Sequence, residues 1–307
     1  MTCRLQPSLT LGLPSYGTYL GGDWARLTGL AAQAEQAGFD RVSLSEHLVM
    51  GPATDSYPYG TFPGGPEGPW LEPLTVLAAI GAVTSALRLG TSVLLAPLRP
   101  PALLAKTAAT LDVLTGGRLD LGVGTGWQAK EYEAVGLAYA DRGRLYTDAL
   151  AACTALWRPG PVSFRSGSLS FDDVYCSPLP VQEGGVPLWI SGKLTERNLD
   201  RIVRFGRGWI PAPTAGFRDV REGVPRLRAA LRAAGRDPAS VQVRVSPRPV
   251  RDEAGQLDLA ASAARIPGLV EIGGTDIFLQ LEAWCPDARD AAGFLAELAG
   301  NVRAVLM

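Results

Sequence analysis

The chain has 307 residues, of which 47% are hydrophobic and 19% charged, with a formal net charge of −1. That composition suits a soluble chain with a sizeable core, and the near-neutral balance excludes the broad basic field that nucleic acid or an anionic membrane would attract. No apolar run reaches about 18 residues, so no membrane span is expected; the opening "MTCRLQPSLTLGLP" lacks the apolar segment of a signal peptide.

Short apolar runs alternate with longer amphipathic ones. "LTLGLP" (9–14) reads as a strand, and "DWARLTGLAAQAEQAGF" as a helix with Trp24, Leu27, Leu30, Ala31 and Ala34 on one face and Gly38 as its stop. "DRVSLS" is the second strand and "LEPLTVLAAIGAVTSA" its helix. "LRLGTSVLL" is the third, followed by "PALLAKTAATLDVL" with proline near its start. "RLDLGVG" is the fourth, with a helical stretch from about Gln128 to Trp157. "VSFRSGSLSFDDV" interrupts the alternation as a β-hairpin. Four more units follow: "PLWISG" with "TERNLDRIVRFG", "GWIPAP" with "FRDVREGVPRLRAALRAAG", "VQVRVS" with "LDLAASAARI", and "TDIFLQL" with "ARDAAGFLAELAGNVRAVL".

Eight strand–helix units with strands apolar on both faces favour a (β/α)8 TIM barrel over a doubly wound sheet. No Pro/Gly/Ser linker divides the chain, so one domain over 1–307 is expected, with insertions at about 48–71 and 160–186. The four cysteines, Cys3, Cys153, Cys176 and Cys285, form no C-x-x-C pair, which fits reduced thiols in a cytoplasmic protein. With one histidine and scattered cysteines, no metal site is expected.

The single histidine is His47, in "SEHLVMGP". An isolated histidine is as a rule a hydrogen-bonded core or loop residue. This one follows the second strand directly and leads into "GPATDSYPYGTFPGGPEGPW" (51–70). Barrel active sites lie at the C-terminal ends of strands, and loops of this length are usually functional or mobile. Strand alternation puts Ser43, Ser45 and His47 on one face. Together these favour a proton donor or acceptor, or a hydrogen bond to a cofactor. The glycines at 122, 124 and 126 read G-x-G-x-G in the fourth unit, which is not the nicotinamide fingerprint. They serve either as tight turns at the rim or as bare backbone that a flat ring or phosphate approaches. "PLWISGKLTERN" opens a helix after a buried strand. It is either a phosphate site built from free N–H groups, the Ser191 hydroxyl and Lys193, or an ordinary turn with Thr195 as helix N-cap.

Taken together, "AGFDRVSLSEHLV", "LRLGTSVLLAPLRPPALLAKTAATLDVLTGGRLDLGVGTGW", "GVPLWISGK" and "GRGWIP" resemble the luciferase-like monooxygenase superfamily. They are most similar to its branch that uses the deazaflavin coenzyme F420. The likeness runs from about Leu9 to Pro211. It implies a flavin-like ring over the strand ends, with His47 near the redox-active edge. It also implies a bulge with a non-proline cis peptide at Ser92–Val93, Thr125 and Gly126 against the ring or ribityl chain, and Ser191, Gly192 and Lys193 on the phosphate. Barrels of this superfamily often pair, which implies a homodimer. Two positions depart from the sugar-phosphate dehydrogenases of the branch. Trp127 stands where their catalytic glutamate follows the "GTG" turn, and Gly51 stands where they carry a tryptophan. Glucose 6-phosphate oxidation is therefore not expected.

The expected function is hydride transfer between F420 and a small apolar or aromatic substrate, with His47 handling the proton and Tyr57, Tyr59, Phe62 and Trp70 forming a lid. The alternatives are an FMN- and O2-dependent monooxygenase, a non-catalytic flavin-binding protein, and a lyase using Lys193 as a Schiff-base amine.

Overall fold

The computed structural model describes residues 6–306. Eight parallel strands close into a barrel: β1 (Ser8–Gly12), β2 (Arg41–Leu44), β3 (Arg88–Thr91), β4 (Leu119–Gly124), β5 (Leu188–Ser191), β6 (Gly206–Ile210), β7 (Gln242–Val245) and β8 (Asp276–Gln280). Each pairs with the next, and β8 returns to β1 with Ser8 opposite Asp276. The TIM barrel anticipated from the alternation is the fold. Helices pack outside, among them α1 (Arg26–Gln36), α2 (Pro73–Val83) and α3 (Pro101–Leu114). Glu72 caps α2 by accepting from the Thr75 N–H at 2.7 Å, and prolines at the first turn start α2 and α3. No helix among the described residues is long and apolar enough to cross a membrane.

Two expected elements are broken. The run 87–95 is not one strand: β3 stops at Thr91, the Ser92–Val93 peptide is cis, and Leu94–Leu95 resumes pairing with β4. The helix expected over 128–157 is two, α4 (Ala129–Ala134) and α5 (Arg142–Leu156). Gly136, at φ +73°, turns the chain between them in the left-handed region that glycine enters without penalty. The hairpin is as expected, with Val162–Arg165 antiparallel to Ser170–Val174. Cys153, Cys176 and Cys285 are free thiols, and Cys3 lies outside the described residues.

The barrel interior is charged at its N-terminal end. Asp276, fully buried, accepts from Ser8 and Thr10 on β1 (2.7 and 2.6 Å), Arg41 on β2 (2.7 Å) and Arg244 on β7 (2.6 Å). Asp120 on β4 takes Arg41 at 2.9 Å and Arg88 on β3 at 2.7 Å. Both guanidinium groups facing the centre lie over the Trp189 ring of β5, Arg41 at 4.6 Å and Arg244 at 5.2 Å from its centroid. Gly208 of β6 makes room for that ring, since a Cβ there would fall 2.2 Å from it.

Burial alone would raise the carboxyl pKa values. The guanidiniums outweigh it, Arg244 and Arg41 around Asp276 and Arg41 and Arg88 around Asp120, and hold both below the usual carboxylate range. Such groups stabilise the fold above their unfolded pKa and cease to as pH falls through the folded one. We expect Asp276→Asn to lower the unfolding free energy at pH 7 by about 3–5 kcal/mol, because it leaves buried cations unpaired. In urea titrations the gap between variant and wild type should narrow as pH drops below about 3.9.

Candidate active site

At the opposite end of the barrel a cavity of about 420 Å3 opens among the strand ends, lined by His47, Ser92, Val93, Thr125, Gly126, Ser191 and Gly192 among others. Seven of the eight residues singled out in the sequence meet there. Lys193 does not: it is exposed and absent from the cavity wall, so the Schiff-base alternative has no amine in the cavity. The Gly192 N–H is also committed, donating to the Ile210 carbonyl at 2.9 Å. The Gly192 and Thr195 N–H groups of the turn are therefore not free donors, since Thr195 donates to the Lys193 carbonyl at 2.8 Å. Thr195 is the N-cap of the following helix, accepting from the Asn198 N–H at 3.3 Å.

Consecutive residues after β2 divide two tasks. Glu46, 4% exposed, accepts from the Leu95 N–H at 2.6 Å and from Arg99 Nη1 at 2.9 Å. Arg99 also reaches Glu72 at 2.7 Å. This buried group joins the end of β2 to the segment after the cis peptide and to the start of α2. His47 has other partners. Its Nδ1 lies 3.2 Å from Glu131 Oε2, and Trp127 Nε1 donates to its Nε2 at 3.4 Å. A nitrogen that accepts from an indole N–H carries a lone pair, so the proton is on Nδ1 and is donated to Glu131. Glu131, on α4 and fully buried, also accepts from the Leu48 N–H at 2.9 Å.

Aromatic side chains from the insertion close over the imidazole. Trp70 and Phe62 meet it edge-on at centroid distances of 4.6 and 5.3 Å, and Trp70 stacks on Tyr16 at 4.3 Å. Trp70 Nε1 donates to the Ser45 carbonyl at 3.2 Å, and the Gly17 N–H to the Pro69 carbonyl at 2.9 Å, which pins the end of the loop to the segment after β1. Tyr57 and Tyr59 complete this side of the cavity. Tyr16 also donates to Glu282. Burial, then that carboxylate, push the Tyr16 phenol well above its ordinary range, so it stays protonated.

Another part of the wall is built from small residues, with glycines at 124 and 126. A Cβ at Gly124 would press on the Val93 side chain at 2.8 Å, and Gly126 sits at φ +70° with Leu95 behind it. Glu131, Glu46 and Tyr16 were not anticipated from the sequence. Glu131 falls one helical turn beyond Trp127, and a search for carboxylates near that turn would have found it. Glu46 and Tyr16 carried no comparable signal.

A family model described as luciferase-like monooxygenase matches residues 8–265, which spans the barrel strands from β1 to β7 and every cavity segment described above. The chain belongs to the luciferase-like monooxygenase family. An uncharacterized family relative from Mycobacterium tuberculosis is 32% identical over 234 residues, 76% of each chain. Two solved structures share the fold. Monooxygenase RslO1 from Streptomyces bottropensis has TM-score 0.79 at 19% identity, over 97% of this chain and 99% of that one. An F420-dependent secondary alcohol dehydrogenase in complex with an F420–acetone adduct has TM-score 0.79 at 18% identity, over 97% and 100%.

Because the chain has one histidine, its imidazole nitrogens give an unambiguous NMR signature. We expect the Nδ1–H tautomer in the wild type. In Glu131→Gln the amide can keep the Leu48 bond only by presenting its NH2 to Nδ1, and the spectrum should shift to the Nε2–H form. An unchanged tautomer would mean that Glu131 does not orient the ring.

Proposed function

We propose that this chain is a cofactor-dependent oxidoreductase that transfers hydride between the deazaflavin F420 and a small apolar or aromatic substrate, with His47 as the proton donor or acceptor. The observation that carries this reading is His47 itself. It is the one histidine, held by a buried carboxylate at one nitrogen, and it lines a cavity together with aromatic side chains and the small residues of the 124–126 turn. A general acid or base needs that combination of fixed orientation and limited access to water.

The residues present fit a flat ring. Small residues and bare backbone, Ser92, Gly124, Thr125 and Gly126, form one wall, and Ser191 and Gly192 lie at the next strand end. Ser92 and Val93 would support the ring from behind, and Thr125 and Gly126 would meet its edge or ribityl chain. Ser191 would hold the phosphate with its hydroxyl, Gly192 would let it approach the backbone closely, and Lys193 would add a charge from outside the cavity. A bound deazaflavin supplies a two-electron hydride carrier that reacts poorly with O2. The chain's own part is to exclude water with Phe62, Trp70 and Tyr57, and to pass a proton at His47 Nε2, which first gives up its long hydrogen bond from Trp127. The Glu131 carboxylate stabilises the imidazolium formed when that nitrogen takes a proton.

The family match and the likeness to RslO1 favour a second reading, an FMN- and O2-dependent monooxygenase using the same cavity. Calorimetric titration with F420 and FMN separates the two. We expect tighter binding of F420 and no oxygen uptake during turnover; binding of FMN alone, with oxygen uptake on adding its reduced form, would replace the first reading by the second. His47→Ala should slow turnover by about 10²–10⁴-fold with the fold intact; full activity would make His47 a packing residue. Lys193→Ala should lower affinity for a phosphorylated cofactor by less than about tenfold and flatten its salt dependence, as an exposed charge does.

A further inference from the structure

A second, larger cavity of about 880 Å3 adjoins the first. Both are walled by Pro211, Arg244, Ser246, Phe278 and Gln280, so they are neighbouring chambers on the β7–β8 side of the barrel. None of the turns that would hold a cofactor, at 92–93, 124–126 and 191–192, lines the second chamber. Its lining is largely apolar, with Phe217, Val220, Leu269 and Trp284, and it contains no aspartate or glutamate. It does carry Arg248 and Arg265, both exposed, and neither makes an ion pair or a side-chain hydrogen bond among the described residues.

The shared wall is unusual in its charge. Arg244 is 2% exposed. Its Nε donates to Asp276 at 2.6 Å, while its Nη1 is buried with no partner. In the floor network, Arg41, Arg88 and Arg244 share two carboxylates, Asp120 and Asp276, so one positive charge is left over. Buried donors and buried cations lacking a partner are costly, and a guanidinium fork matches a carboxylate better than any neutral group.

Resting on the reading of the His47 cavity as the reaction site, we propose that the second chamber binds the anionic end of the substrate, and that the substrate is an apolar or aromatic carboxylic acid. Arg248 and Arg265 draw the carboxylate in at the rim, and Arg244 holds it at the floor. The apolar walls take the body of the molecule, and its reacting carbon lies toward His47.

The test uses full-length, cofactor-free protein and two probes of matched shape, 2-naphthoate and neutral 2-naphthalenemethanol, titrated calorimetrically at pH 7. Naphthoate should bind at least about tenfold tighter, and the preference should shrink at high salt. The double variant Arg248→Gln/Arg265→Gln alters exposed side chains and should melt like the wild type while losing most of that preference. Arg244→Lys should weaken naphthoate and leave the neutral probe unchanged; should it melt early, the double variant still decides. No binding of naphthoate, equal affinity for the two probes, or a preference untouched in the double variant overturns the proposal. So does a loss of F420 or FMN affinity in the double variant, which would give these arginines to the cofactor. Failure of both cofactors to bind the wild type would count against the oxidoreductase reading alone, because the probes are measured without cofactor.

Discussion

The structure depends on two carboxylates that bind the barrel together from inside. Asp276 takes side chains from β1, β2 and β7, and Asp120 takes them from β2 and β3. Trp189 of β5 lies beneath the same guanidiniums, and Gly208 of β6 gives its ring room. Every strand therefore contributes to one polar layer. An apolar layer would tolerate repacking, but a layer of buried charges does not, because any displaced member leaves a charge without a partner. A one-residue slip in any strand would turn its inward side chain outward. This layer thus specifies the register of closure, and with it which residues stand at the strand ends.

The cavity end shows the same economy on a smaller scale. Glu46 and His47 are neighbours in sequence and point in different directions. Glu46 holds the segment after Ser92–Val93 and the start of α2 through Arg99, while His47 is held by Glu131 from α4. The wall of the cavity and the imidazole that lines it are therefore fixed from the same short stretch after β2. The long insertion is anchored at its far end, at Pro69 and Trp70, so its aromatic rings have a defined place over the imidazole without being part of the barrel.

Much of this was legible before the fold was known. The eight strand–helix units followed from the alternation of apolar runs, and the bounds of α3 and of the hairpin agree closely with the structure. His47 stood out because it was the only histidine and followed a strand. What differed was local: a lysine beside a small-residue turn suits an anion, but the Lys193 side chain is exposed outside the cavity and not in its wall. The free N–H groups expected in that turn were also fewer, because the Ile210 carbonyl on β6 uses one of them. Hydrogen bonds across strands are not visible in a single run of residues.

By itself, the sequence determined the class of fold, the placement of the strand ends and the position of the chain's one histidine at one of them. Those follow from periodicity and residue type, which are local properties of the chain. Only the tertiary structure decided that Glu131 rather than a residue beside His47 orients the ring, and that Trp70, 23 positions on, packs against it. Only it revealed that Arg244 stands between two chambers with a donor to spare. The reason is geometric: barrel closure brings β2, β4 and β7 around one axis, and the partners that charges find there are set by that closure and by no spacing along the chain.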